Sequence, residues 1–238
     1  MSEQPQTQTV ADALAEAAVA EIQSGMIVGL GTGRTAKRGI RALAERFREE
    51  SLSITCVPTS QGAEQVAREL GLPIQEFSLV ERIDYLFDGA DEVDHQMRML
   101  KGSGGAMARE RMVAWASQRR VYMIDSSKLV KKLGTRASLP IAVIPFGLAS
   151  IRAELRNLGL NGVVRRALDG HLFVTDNANL VIDVTLGEND PEQVAEWLNG
   201  IPGVVDHGLF MREADEVLVE TPGGLERMVR QPEPDQGD

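Results

Sequence analysis

The stretch Leu86–Ala114, LFDGADEVDHQMRMLKGSGGAMARERMVA, concentrates the residues able to do chemistry. Asp88 and Asp91 follow an apolar run that reads as a strand, and open parallel sheets bind ligands just past their strand ends. Gly89 and Ala90 stand between them, and Gly89 lets the chain bend so that both carboxylates face one crevice. Lys101 comes next, then Gly102-Ser103-Gly104-Gly105, small residues that expose backbone donors ahead of a helix, where an anion can sit. Glu110 lies one to two turns into that helix and shares a face with Ala106, Met107, Val113 and Ala114. A carboxylate on a core-facing side is desolvated, which raises its pKa toward that of a working base. A structural ion pair with Arg109, Arg111 or another cation suits the same spacing, and the pattern alone does not separate the two. Asp88, Asp91, Asp94 and His95 also invite a magnesium reading, but the spacing of a calcium loop is missing and the three histidines show no paired-ligand pattern.

A second cluster precedes this one. Gly31-Thr32-Gly33-Arg34-Thr35-Ala36 satisfies G-x-G-x-x-A between an apolar run and a helical stretch. Its glycines permit a tight turn, and the N–H groups at the helix start can hold phosphate. A dinucleotide would want an Asp or Glu at the end of the next strand, where Pro58-Thr59-Ser60 stands instead. A single phosphate fits better. Lys128, after Asp125-Ser126-Ser127 at another strand end, adds a cation to the same rim.

These residues need a frame. Helical stretches are expected at Ala11–Gln23, Thr35–Glu50, Gln61–Leu70 and Ala106–Ser117, and strands at Met26–Leu30, Ser53–Val57, Tyr85–Phe87 and Val121–Ile124. That alternation predicts an α/β fold with a mainly parallel sheet covered by helices on both faces. The pattern changes near Ser138. Strand-like Leu139–Ile144, Val163–Ala167, Leu172–Thr175 and Leu180–Val184, with helical Ala149–Leu158 and Pro191–Leu198, suggest a small ferredoxin-like α+β unit. Val204–Phe210 and Glu216–Val219 are further strands that can return to the first unit. The division is 1–134 with 210–238 for the larger domain and 135–209 for the smaller. Residues 1–8 and the acidic, proline-rich tail QPEPDQGD (231–238) read as disordered.

Composition narrows the partners. With 238 residues, 43% apolar, the chain can bury a proper core. A net charge of −10 repels phosphate-rich polymers, which argues against nucleic acid and anionic membranes as partners, while local donors can still hold a small phosphorylated ligand. Cys56 stands alone, so neither a disulfide framework nor a cysteine metal cluster is expected. No basic n-region opens the sequence and no run is long enough to span a bilayer, so a cytoplasmic setting is the expectation.

From Met26 to about Gly224 the sequence resembles the ribose-5-phosphate isomerase A family. GLGTGRTA is similar to its GxGTGST turn, FDGADEVD to its DGADEVD loop and LKGSGGAMARERMVA to its KGGGGALxREK segment. IDSSKLVKKLG, LPIAVIPFG, VTDNANLVIDV and IPGVVDHGLF resemble later blocks in the same order. The resemblance implies a Rossmann-like domain with a ferredoxin-like lid. It implies an enzyme of the non-oxidative pentose phosphate pathway that works as a homodimer or tetramer, with no cofactor and no required metal. Glu110 would carry a proton between two sugar carbons through an enediolate, and Lys101 would stabilise the oxyanion. Asp88 would assist ring opening and Asp91 orient the open chain. Thr32, Gly33 and Thr35, the segment Asp88, Gly89, Ala90 and Asp91, then Lys101, Gly102, Ser103 and Gly104, and finally Lys128 would bind the sugar phosphate. Three departures stand out. Arg34 replaces a serine of the turn, Ser103 replaces a glycine, and Ala11 stands where many relatives carry a phosphate-binding lysine. Arg34 is expected to restore that charge, since a guanidinium grips phosphate with two bonds. A related sugar-phosphate isomerase or deaminase, a non-catalytic sugar-phosphate sensor and a coenzyme A transferase are the competing readings. The sensor is disfavoured because the chain keeps Glu110 and shows no DNA-binding segment.

Overall fold

The computed structural model describes residues 12–231, so Ala11 and all of the acidic tail except Gln231 lie outside the described residues. The chain begins with α1 (Ala13–Val19), started by the Asp12 carboxylate accepting from Ala15 N–H at 3.0 Å. Then come β1 (Ile27–Leu30), α2 (Arg34–Glu49), β2 (Thr55–Pro58) and α3 (Gln61–Glu69), the last capped by Ser60. β3 (Ile83–Gly89) leads through two short strands, β4 (Glu92–Val93) and β5 (Met99–Leu100), to α4 (Met107–Ala116) and β6 (Ser117–Asp125). The smaller unit follows as β7 (Leu139–Val143), α5 (Leu148–Asn157), β8 (Gly162–Val164), β9 (Leu180–Val184), α6 (Pro191–Asn199) and β10 (Val204–His207). β11 (Leu209–Phe210), β12 (Glu216–Thr221) and β13 (Gly224–Val229) complete the chain.

The main sheet has the order β13-β12-β6-β3-β1-β2, parallel except for the β12–β13 hairpin. β2 and β3 flank β1 on opposite sides, so connections leave β1 in both directions and open a crevice at its carboxyl end. Side chains alternate across the sheet. Tyr85 and Phe87 of β3 pack with the α1–α2–α3 core, while Leu86 packs with Val113 and Ala114 of α4. By the same period Asp88 emerges on the α4 side, the side of Glu110. The smaller unit is a four-stranded antiparallel sheet, order β10-β7-β9-β8, with α5 and α6 packed on one apolar core, the ferredoxin-like arrangement.

Several expectations need correction. Leu172–Thr175 is not a strand: it makes only isolated bridges, Arg166 to Leu172 and Val174 to Leu180, because Leu172 and Val174 point largely to solvent with no facing layer. Of Val163–Ala167 only the first two residues are strand, in β8 (Gly162–Val164). Val204–Phe210 breaks in two at Gly208. There the backbone passes too close to the Lys101 carbonyl and Pro140 for any side chain, and the chain moves from β7 to pair with β5. β13 carries no two-residue alternation to mark it, since Glu226 and Arg227 stand side by side among its apolar residues and most of the strand is exposed, as an edge strand allows.

Candidate active site

Three strand ends and one loop build the site. Parallel pairing sets Leu30 beside Phe87, so Gly31 and Asp88 leave the sheet as neighbours, and Gly31 N–H donates to Phe87 O at 2.9 Å. A Cβ on Gly31 would run into the Asp88 backbone and carboxylate, so glycine is required there by proximity. Gly33 takes φ 101°, which turns the chain into α2 at Arg34. Thr32 N–H then donates to Asp88 Oδ1 at 2.9 Å, tying the glycine turn to the end of β3.

Asp88, Lys101 and Glu110 form one buried cluster. Lys101 Nζ lies 2.9 Å from Asp88 Oδ2 and 3.2 Å from Glu110 Oε1, and also donates to the Gly89 carbonyl. The rings of Tyr122 and Phe210 stand 5.3 and 5.7 Å from the ammonium. Burial raises the Asp88 carboxyl, against the pull of Lys101. Burial likewise pushes Glu110 up to about 8; Lys101 opposes the rise, and Asp88 and Asp91 add to it. Burial alone would lower the Lys101 pKa, yet the two carboxylates outweigh it and keep the ammonium charged. Glu110 Oε2 is buried and has no hydrogen-bond partner. Here is a carboxyl poised near neutrality with one oxygen free beside a fixed cation.

The cleft above this cluster has a volume of about 670 Å³. Of the residues singled out from the sequence, Thr32, Gly33, Arg34, Thr35, Gly89, Ala90, Asp91, Lys101, Gly102, Ser103, Gly104, Glu110 and Lys128 line it. Asp88 does not. It is fully buried, with Oδ1 on Thr32 and Gly89 N–H groups and Oδ2 on Lys101. Asp91 is held by Ser103, from N–H at 2.9 Å and from Oγ at 2.7 Å, so the departure at position 103 adds a hydroxyl donor. Asp94 turns instead to Arg98 at 2.7 Å and His95 is exposed, so neither joins Asp88 and Asp91. The ion-pair partner of Glu110 is Lys101. Arg109 goes to Asp176 and Asn177, and Arg111 to Asp206 and Glu213.

Arg34 and Lys128 form no ion pair among the described residues and both line the cleft, one at the start of α2 and one past β6. Arg38, Asp125 and Ala137 also line the cleft and were missed. Arg38 stands four residues after Arg34 on one helix face, a readable signal, but its charge is spent on Asp12 at 2.6 Å and Glu220 at 2.8 Å. Asp125 is the last residue of β6, also readable, whereas nothing in the side chain of Ala137 announces it.

This sheet edge and its buried acid–base set define a proton-transfer enzyme for a small anionic substrate. The model of one family, ribose 5-phosphate isomerase A (phosphoriboisomerase A), matches residues 55–224. Ribose-5-phosphate isomerase A of Chloroflexus aurantiacus is 42% identical over 224 residues, covering 93% of this chain and 94% of its own. That of Gluconobacter oxydans is 45% identical over 208 residues, 86% and 90% of the two chains. Ribose 5-phosphate isomerase A from Methanocaldococcus jannaschii superposes with a TM-score of 0.87 at 36% identity, over 92% of this chain and 97% of the other. A D-ribose-5-phosphate isomerase solved in complex with phospho-erythronic acid superposes with a TM-score of 0.88 at 34% identity, over 92% and 96%. The chain belongs to the ribose 5-phosphate isomerase A family.

Proposed function

We propose that this chain interconverts D-ribose 5-phosphate and D-ribulose 5-phosphate through an enediolate. One observation carries the reading: Glu110 lines the cleft with one buried oxygen free of any hydrogen-bond partner, and Lys101 lies 3.2 Å from its other oxygen. Aldose–ketose exchange moves one proton between C2 and C1 while negative charge develops on the neighbouring oxygen. Glu110 takes the proton from one carbon and returns it to the other. Lys101 sits where the developing oxyanion needs a cation. Asp88 acts from behind Lys101, holding the ammonium in place; direct exchange with a sugar hydroxyl, the role expected from the sequence, would require Lys101 to release Oδ2. Asp91, open to the cleft, orients the open chain. Thr32, Gly33, Arg34, Thr35 and Lys128 anchor the phosphate, so binding energy far from the reacting carbons is used to align them.

The reading extends to a place in the non-oxidative pentose phosphate pathway and to a homodimer in the cytoplasm. Trp115, 83% exposed on α4, offers apolar surface to a second copy, and no helix among the described residues is long and apolar enough to cross a membrane. The experiment is a metal-free assay of ribose 5-phosphate conversion, wild type against Glu110→Gln. Turnover by the wild type and its collapse in the variant is the expected result, and near-normal turnover in Glu110→Gln rejects the assignment of the base.

A further inference from the structure

The smaller unit sends one arginine to the loop that lines the cleft ahead of α4. Arg165 follows β8, its backbone fixed by N–H donation to Val181 O at 2.8 Å and by acceptance from Phe173 N–H at 3.0 Å. Its guanidinium meets Asp183 of β9 fork to fork, Nε to Oδ2 at 2.8 Å and Nη2 to Oδ1 at 2.5 Å. The remaining nitrogen, Nη1, crosses to the loop before α4 and donates to the carbonyls of Ser103 at 2.9 Å and Gly102 at 3.2 Å. The Phe173 ring lies 5.5 Å from the guanidinium carbon and packs where a Cβ on Gly105 would stand.

A trans peptide is planar, and its C=O and N–H point opposite ways. Holding the carbonyls of Gly102 and Ser103 on Arg165 therefore turns the N–H groups of Ser103 and Gly104 the other way. Ser103 N–H is found there, on Asp91 Oδ2 at 2.9 Å. Gly104 lines the cleft, and its N–H has no partner among the described residues. A planar fork spreads four contacts, two to Asp183 and two to carbonyls, over three nitrogens, whereas a lysine ammonium has three donors on a single nitrogen.

We infer that Arg165 is a positioning residue of the isomerase: from the smaller domain it aims the Gly104 N–H, and through Ser103 the Asp91 carboxylate, at the open-chain sugar. The inference rests on the reaction proposed above. Arg165 touches neither the glycine turn nor Lys128, so phosphate anchoring does not depend on it, and its loss misaligns the reacting carbons rather than releasing the ligand.

Arg165→Met and Arg165→Lys, assayed with ribose 5-phosphate, separate the two effects. In Arg165→Met kcat is expected to fall by about tenfold to a hundredfold with KM changed by less than about threefold, and Arg165→Lys to lie between it and the wild type. Values of kcat within about twofold of the wild type in both variants, or a loss confined to KM, overturn the inference. If Arg165→Met does not fold, Arg165→Lys decides alone. Amide exchange at Ser103, read without substrate, is expected to accelerate in both variants, and unchanged exchange also overturns it. A wild type that binds but does not isomerise ribose 5-phosphate would instead sink the assigned reaction, with the loop geometry still decided by exchange.

Discussion

Replacing Glu110 by Gln keeps the shape of the side chain and removes its ability to ionise, and two opposite effects follow. Turnover loses its proton carrier and is expected to fall by at least about a hundredfold. Stability moves the other way above neutral pH. The carboxyl is raised from its ordinary 4.5 to about 8 in the folded chain, chiefly by burial. Between those values the folded chain binds a proton that the unfolded chain has released, so the wild type loses stability as pH rises from 4.5 to about 8 and no further above. The rise of about 3.5 corresponds to about 5 kcal/mol, an upper figure because Asp88 and Lys101 share the same charge balance. The Glu110→Gln variant, with no proton to lose at that position, escapes the penalty. Urea unfolding of both proteins at pH 5 and pH 9 reads the difference, since every other titrating group is common to the two. The variant's advantage should grow by about 2 to 4 kcal/mol between those pH values. An advantage that stays flat from pH 5 to pH 9 would falsify the claim that Glu110 is held neutral by burial, and with it the basis for calling it a poised base. The same ionisation should make wild-type kcat/KM rise with pH up to about 8 and then level.

Lys101→Met leaves the Asp88 and Glu110 carboxylates buried without their cation, which should cost about 3 to 5 kcal/mol of stability near pH 8 in denaturant unfolding and also remove most turnover. Arg34→Ser should raise KM for ribose 5-phosphate by roughly tenfold with little change in kcat, as expected for a charge-assisted contact at an exposed site. An unchanged KM removes Arg34 from the phosphate site. Gly31→Ala drives a methyl group into Asp88, so a loss of more than about 2 kcal/mol together with lost activity is expected, and a wild-type melting curve would contradict the packing described for that turn.

Much of the frame was readable because its signals are local. Apolar runs ending in Gly31 and Asp88 set the strands, and Ser60 and Pro191 marked helix starts. The face shared by Glu110 with Met107 and Val113 foretold its burial. What periodicity does not report is the group that lies across a gap. The pairing of Glu110 with Lys101 rather than Arg109 or Arg111 depends on where three distant acids draw those arginines. The sealing of Asp88 depends on Thr32, 56 residues away, and on Lys101. Arg165 gave no sign of reaching the site, since its partners Gly102 and Ser103 present only backbone oxygens.

The crowding at Gly31 has a bearing on how such a sequence can drift over generations. Positions 34 and 103 are exposed at the cleft, where a new side chain finds room, and the serine at 103 also gains a partner in Asp91. Position 31 has no such latitude, because the space its side chain would claim already belongs to the acid that steadies Lys101. A lineage can therefore retune its grip on the ligand one residue at a time, but it cannot alter that turn without disturbing the proton-handling cluster in the same step.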